Sequence, residues 1–432
     1  MKRYATLLLG LTVVLGASKC PDNETKFVND NMQSAGNQVK LLLKDAGTGN
    51  QFPRTINDQG KLVSTSMYDW TPGFFPGSLW YSYEYSQDPA LKQAATQWTE
   101  KLEPLRDFKD HHDLGFMMYC SYGNAYRLTG KEAYRENLIR AARSLCTRFD
   151  PITGCIKSWN SFKSWHGDKT YNFPVIIDNM MNLELLFFAT RVTGDSSFYK
   201  VAITHANTTL KNHFRKDFSS YHVVCYDTLT GKVLAQETAQ GYADNSTWSR
   251  GHAWAIYGYT MSYRETHDPK YLDAAIRLAD WYLNDKNLPA DKVPLWDFNV
   301  QQKGYTPGVR SNANLVNKPY RDASAAAITC SALFELSTFA GNKSEGYRSS
   351  AIAMLHSLAG STYRADVNTN GNFLLRHSVG SIPHDTEIDV PLVYADYYFL
   401  EALLRYKKLL GGATELVSYA DPMYDTKPVA AP

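Results

Sequence analysis

Leu128-Thr129-Gly130-Lys131-Glu132-Ala133-Tyr134 is the junction of two helices written in seven residues, and the chain repeats it. Val192-Thr193-Gly194-Asp195-Ser196-Ser197-Phe198-Tyr199 has the same form. So do His267-Asp268-Pro269-Lys270-Tyr271 and Ala340-Gly341-Asn342 through Tyr347, with Gln87-Asp88-Pro89 a weaker copy. An apolar helix stops near Gly or Asp, and a second helix opens at a Tyr. Glycine supplies the stop, while Pro89 and Pro269 suit the first turn of a helix. From each Tyr, positions +4, +7 and +11 are largely apolar: Leu138, Ala141, Leu145; Ile203, Ala206, Leu210; Ala275, Leu278, Tyr282; Ala351, Met354, Leu358. That spacing marks one helical face.

Working outward gives about twelve helices in six pairs. Outer helices run near 25–45, 89–105, 131–148, 196–214, 269–285 and 344–360, and inner partners begin near Pro72, His112, Ile176, Arg250, Asp322 and Pro391. Repeated helix pairs stack as an open solenoid or close into a ring. The inner helices carry polar and aromatic residues, as in Asp322-Ala323-Ser324-Ala325-Ala326 and Ala395-Asp396-Tyr397-Tyr398. The pattern predicts an all-α, closed (α/α)6 toroid with a central cavity. The stretches 151–175, 219–247, 287–320 and 361–388 are then rim loops or short hairpins, and loops of that length usually carry function.

Composition narrows the partner. The chain has 432 residues, a formal net charge of +2 and no long Lys/Arg run, which argues against nucleic acid. Its 9 Trp and 29 Tyr serve the core, and they also suit stacking on the C–H faces of sugars. Residues 1–20 have the form of a signal peptide: Lys2 and Arg3, an apolar run from Ala5 to Leu15, then Gly16-Ala17-Ser18. The run is too short for a membrane span. Export to the periplasm is expected. Cys20 opens a lipid-anchor alternative, although Lys19 departs from that signal. Residues 21–432 are then a single barrel domain. Cys120, Cys146, Cys155, Cys225 and Cys330 are scattered and read as small buried hydrophobes rather than a disulfide framework or zinc site.

Two carboxylates stand out. Asp113 lies in His111-His112-Asp113-Leu114-Gly115-Phe116, and Asp178 in Val175-Ile176-Ile177-Asp178-Asn179-Met180-Met181-Asn182. Each opens an inner helix, where an Asp ordinarily serves as an N-cap. The apolar company of Asp178 is expected to raise its pKa, as a general acid requires. Two such groups at one end of a cavity make the acid/base pair of sugar chemistry. Adjacent His111 and His112 chelate a metal poorly, and no HExxH, paired CxxC, GxSxG, GxGxxG or GxxxxGK[ST] motif occurs. Arg250 and Trp254, four apart, share a helical face. They are expected to clamp an acidic sugar by charge and stacking, the alternative being a core Trp beside an Arg–Asp pair. His222 falls in a rim loop.

Together these motifs resemble glycoside hydrolase family 88, the unsaturated glucuronyl hydrolases, from roughly residue 30 to 410. The likeness rests on Asp69-Trp70-Thr71 with Gly73-Phe74, His111-His112-Asp113 with Gly115-Phe116, and Ile176-Ile177-Asp178. Further matches are Gly154-Cys155-Ile156-Lys157-Ser158-Trp159, Ser219-Ser220-Tyr221-His222, Ser246-Thr247-Trp248-Ser249-Arg250-Gly251 with Ala253-Trp254, and Asp396-Tyr397-Tyr398 with Leu400-Glu401-Ala402-Leu403. The resemblance implies an (α/α)6 barrel that hydrates the 4,5-unsaturated uronic acid left by polysaccharide lyases, with no metal or organic cofactor. It makes Asp178 the general acid/base and Asp113 the second essential carboxylate, and places Trp70, Trp159, His222, Gln240, Arg250 and Trp254 around the sugar. Members favouring sulfated glycosaminoglycan disaccharides carry an SxxSxK element. Here Ser378 and Ser381 match its serines, and Pro383 stands where its lysine would be. Ala239 occupies a position that is His in some relatives. Two alternatives stay open: a rhamnogalacturonyl hydrolase acting on pectin fragments, and a non-catalytic glycan-binding toroid.

Overall fold

Gly130 and Gly194 end their helices in the left-handed conformation, with φ of 64° and 73°, a backbone state glycine adopts without strain. The helices that follow Asp88, Asp195 and Asp268 are capped by those carboxylates, which accept N–H from Ala90, Ser197 and Lys270. In a computed structural model, which describes residues 21–316 and 318–417, these junctions join helices in pairs. The expected signal peptide (1–20), the lipid-anchor alternative at Cys20 and the tail 418–432 lie outside the described residues.

Twelve α-helices occur among the described residues. The outer ones are α1 (Pro21–Ala46), α3 (Pro89–Glu100), α5 (Glu132–Cys146), α7 (Ser196–Asn212), α9 (Pro269–Asn284) and α11 (Ser344–Ala359). The inner ones are α2 (Phe74–Ser86), α4 (Asn124–Thr129), α6 (Leu183–Thr193), α8 (Ser249–Thr266), α10 (Ala323–Leu336) and α12 (Val393–Leu410). The inner helices touch in order, with Gly115–Gly123 and Ile177–Asn182 extending α4 and α6, and α12 returns to α2. The ring is closed. Its sixth pair joins the two ends of the described chain, because α1 packs on α12.

The apolar stripes face inward as the spacing predicts: Leu138, Ala141, Leu145, Ala275, Leu278, Tyr282, Ala351, Met354 and Leu358 are buried. Helix α7 is rotated slightly, burying Ala202, His205, Ala206 and Thr209 while Ile203 and Leu210 stay half-exposed. The reason is local, since His205 Nδ1 accepts the Ile156 N–H at 3.0 Å. Inner helices have little or no solvent face; every residue of α10 is buried. Cys120, Cys155, Cys225 and Cys330 are buried, Cys146 is partly so, and all five are unpaired.

Two features differ from a plain helical ring. Gly115–Gly123 is wound as a π-helix, a rare form that clusters at functional sites. Gly115 lies directly against Asn182, whose Oδ1 satisfies the Phe116 N–H at 3.1 Å. The rim, moreover, carries five small antiparallel sheets. One of them pairs Phe52–Ile56 with Leu62–Thr65, a hairpin outside the stretches expected to form the rim.

Below the rim, charged groups fill the ring. Arg264 meets Glu335 at 2.6 Å, Glu265 at 3.1 Å and Glu184. Arg405 meets Glu335 at 3.0 Å, and Glu401 accepts from Tyr81 (2.8 Å), Tyr257 (3.0 Å) and Ser331 (2.5 Å). Buried ions of this kind are tolerable only when paired and hydrogen-bonded.

Inner helices also approach through glycine. A Cβ at Gly77 would stand 2.5 Å from the Tyr397 ring and 2.7 Å from the Cys120 carbonyl oxygen, neither of which yields easily. Gly77→Ala is therefore expected to cost about 1–3 kcal/mol of stability, read as a lower urea midpoint at unchanged slope.

Candidate active site

The strand Pro174–Ile176 pairs with Val223–Tyr226, and the Ile177 N–H donates to the His222 carbonyl at 3.1 Å. This sheet delivers Asp178 into the first turn of a 3-10 segment, Ile177–Asn182. Asp113 stands just before the π-helix, where its backbone carbonyl accepts the Met117 N–H. Neither carboxyl caps its helix as Asp88, Asp195, Asp268 and Asp322 cap theirs. Instead both line one cavity of about 410 Å3, a size suited to a small ligand (roughly 300–1,000 Å3).

The two carboxyls are held differently. Asp178 is 8% exposed, and its Oδ2 has no hydrogen-bond partner among the described residues. Burial pushes its pKa up to about 7; Arg250 opposes the rise, and the negative charge of Asp113 adds to it. Burial acts on Asp113 as well, yet His112 and His111 together bring its pKa below the ordinary carboxylate range. His111 Nδ1 lies 3.0 Å from Asp113 Oδ2, and its Nε2 donates to the Tyr68 carbonyl at 3.1 Å. A protonated imidazole donates to both, whereas the neutral ring accepts the Asp113 N–H at Nδ1, 3.3 Å away. Burial disfavours the protonated form most, but the hydrogen bond and the charge of Asp113 and the Tyr68 carbonyl together outweigh it, and the His111 pKa stands above its usual value. His112 is fully buried, which drives its pKa down to about 4 and keeps it neutral. Its Nε2 lies 3.3 Å from Asp113 Oδ1. Thus one carboxyl holds its proton near neutrality while its neighbour is ionised, a division typical of acid/base pairs.

His222 fixes the surroundings of Asp178. Its Nδ1 accepts N–H from both Ala239 and Gln240 at 3.1 Å, so the ring proton sits on Nε2. That Nε2 points toward Asp178 Oδ2 at 3.7 Å. Burial, reinforced by Arg250, keeps the imidazole neutral. Arg250 itself is buried over the rings of Trp248 and Tyr394. Its Nη2 donates to the Gly380 carbonyl at 2.7 Å, its Nη1 to Val379 O, and Asp322 lies 3.4 Å away. The Nε–H is left without a partner among the described residues. Trp70 is set by its neighbours: Asp69 Oδ1 accepts the Thr71 N–H (3.0 Å) and hydroxyl (2.5 Å), while Oδ2 pairs with Arg54.

The structure gathers Trp70, Asp113, Trp159, Asp178, Gln240 and Arg250 at the cavity wall. The other expected residues stand behind that wall. Trp254 is fully buried and packs on Phe116 and Tyr398, one helical turn from Arg250 on the same face. It acts on Asp178 from below, favouring the ionised carboxyl. His222 also stands behind the wall. Ser378 is fully buried in the strand Ser378–Ser381, and the Ser381 hydroxyl is engaged by His384 Nδ1 at 2.6 Å. Neither serine lines the cavity. The rim instead contributes Lys163, Trp165, Arg310 and His384, four side chains in long connections without periodicity. Only the length of those connections marked them.

A family model described as Glycosyl Hydrolase Family 88 matches residues 49–261. An unsaturated glucuronyl hydrolase of Formosa agariphila is 42% identical, over 94% of this chain and 98% of its own length. An unsaturated chondroitin disaccharide hydrolase of Streptococcus agalactiae is 33% identical, over 88% and 92% respectively. The crystal structure of an unsaturated glucuronyl hydrolase specific for heparin superposes with a TM-score of 0.81 at 44% identity, covering 89% of this chain and 98% of that one. The chain belongs to glycosyl hydrolase family 88, is a glycoside hydrolase, and has the (α/α)6 architecture of that family.

The raised pKa of Asp178 has a stability consequence. Folded protein keeps this proton up to about pH 7, whereas the unfolded chain releases it near 3.8. Stability is therefore lost as pH rises between those values. Asp178→Asn removes the penalty. Its melting temperature is expected to exceed that of wild type at pH 8, and the difference should close as pH falls through 7 toward 4 in a pH series of thermal melts.

Proposed function

We propose that this family 88 hydrolase removes the 4,5-unsaturated uronic acid from the non-reducing end of lyase-generated glycosaminoglycan oligosaccharides. The observation that carries the reading is the carboxyl pair in one cavity, with Asp178 titrating near 7 and Asp113 held ionised. The relatives' activities, on unsaturated glucuronyl and chondroitin disaccharide substrates, support the substrate class.

The chemistry follows from the enol ether. Protonated Asp178 delivers its proton to C4, and positive charge develops at C5 and the ring oxygen. Asp113 as carboxylate stabilises that charge. Water adds at C5 and gives up a proton to the Asp178 carboxylate, which restores the acid. The resulting C5 hemiketal opens to a ketone. C1 then becomes a hemiacetal and releases the neighbouring sugar. Arg250 offers its Nε–H to the uronate carboxylate, and Trp70 and Trp159 flank the ring. Residues 1–20 support a periplasmic site of action, with a lipid on Cys20 as the alternative; the mass of the mature chain distinguishes the two.

The test follows the C4=C5 absorbance of unsaturated chondroitin, hyaluronan and heparan disaccharides. Wild type is expected to bleach it, with kcat falling as pH rises through about 7 and Asp178 loses its proton. Asp178→Asn should lower kcat by about 10²–10⁴-fold while still binding substrate. Turnover surviving in that variant overturns the acid/base assignment. Bleaching only of an unsaturated galacturonyl-rhamnose moves the substrate to pectin, and binding without turnover by wild type makes the chain a lectin-like toroid.

A further inference from the structure

The more exposed part of the cavity carries two cations that the hydration step does not use. Lys163, in the two-residue strand Phe162–Lys163, and Arg310, in the irregular connection after α9, both line it. Both lean on Asp168, which lies 3.5 Å from Lys163 Nζ and 2.9 Å from Arg310 Nη2 and is 96% exposed. An ion pair so open to water holds weakly, so an incoming anion can take the place of Asp168. Two cations share this one carboxylate, which leaves the mouth net positive.

The cations are nonetheless held in place. The Arg310 N–H donates to the Trp165 carbonyl at 3.1 Å. Gly308 passes so close to Trp165 that a Cβ there would collide with it. Trp165 in turn donates from Nε1 to the Ala239 carbonyl at 3.0 Å, beside the site of Asp178. Two rim segments are thus clamped at fixed spacing over the opening. The serine element that resembles the sulfate-contacting segment of some relatives is not positioned for the task here: Ser378 is buried, Ser381 is occupied by His384, and Pro383 brings no charge.

We propose that Lys163 and Arg310 form a recognition site for a sulfo group on the leaving sugar, the ring next to the unsaturated uronate. The proposal rests on the function above, because the uronate ring is taken to lie at the buried carboxyls. The Asp113 and Asp178 side chains are 10% and 11% exposed, whereas those of Lys163 and Arg310 are 57% and 33% exposed. The second sugar therefore meets the cations. A sulfo group, with its charge spread over three oxygens, fits a guanidinium and an ammonium together.

The experiment compares kcat/KM for pairs of unsaturated disaccharides that differ only in one sulfo group on the leaving sugar. In the Lys163→Ala/Arg310→Ala double variant the sulfated-to-unsulfated ratio is expected to fall about tenfold or more through KM. Added salt should raise the wild-type KM for the sulfated substrate and leave that of the double variant nearly flat. Lys163→Arg should preserve most of the ratio. A ratio unchanged in the double variant, or equal losses on both substrates, overturns the site while leaving the hydrolase reading intact. A wild type inactive on every pair removes the hydrolase reading and this site with it.

Discussion

Five inner helices turn back into their outer partners through connections of two to seven residues, while the connections from outer to inner helix are long. All inner helices therefore run the same way, and every long segment falls at one end of the ring. That end also collects the inner helices' N-termini, whose free N–H groups and dipoles favour negative charge. Asp113, Asp178, Arg250 and Trp70 meet there because each sits at or just before the start of an inner helix. Among the described residues, the opposite end has only short turns between helices and the segment that follows α12. It is filled by paired Arg, Glu and Tyr side chains.

Burial alone does not make a catalytic acid, and Asp396 shows why. Burial raises its pKa to about 7 as well. Both of its oxygens, however, accept backbone N–H groups, from Leu374 at 2.7 Å and Leu375 at 3.0 Å. It anchors a rim segment to α12 and does not line the cavity that holds Asp178. Asp178 has the same shift with an oxygen left unsatisfied beside open space. Open space beside the carboxyl, rather than the shift, separates a proton donor from a structural acid.

The ring was legible because its signals are local. Gly130, Gly194, Pro89 and Pro269 mark helix ends through backbone conformation, which does not depend on distant residues. The rim was not, since strands of two to five residues leave too short a period to read. The two aspartates were visible from their apolar company. The depth of Trp254 is not legible, because helical spacing reports a face and says nothing of how far down the ring a side chain lies. The surroundings of Ser378 and Ser381 are equally illegible: the matched serines are present, but the burial of Ser378 and the His384 contact of Ser381 come from the fold. Lys163 and Arg310 lie in segments with no pattern, and only the fold brings them to one opening.

The pairing of α1 with α12 gives the ring a seam between its first and last described helices. Gln38 on α1 donates to the Phe373 carbonyl at 2.5 Å and accepts from Arg364 at 3.0 Å, and Tyr406 on α12 reaches Glu24 at 3.0 Å. Of the described helices α1 is made first; α2 can pack on it at once, whereas the contact of its apolar face (Val28, Met32, Ala35, Val39 and Leu42) with α12 has to wait. Every other pair can form as soon as it is made. The seam must wait for Val393 and beyond, so ring closure is the most non-local step in folding and the one most exposed to aggregation.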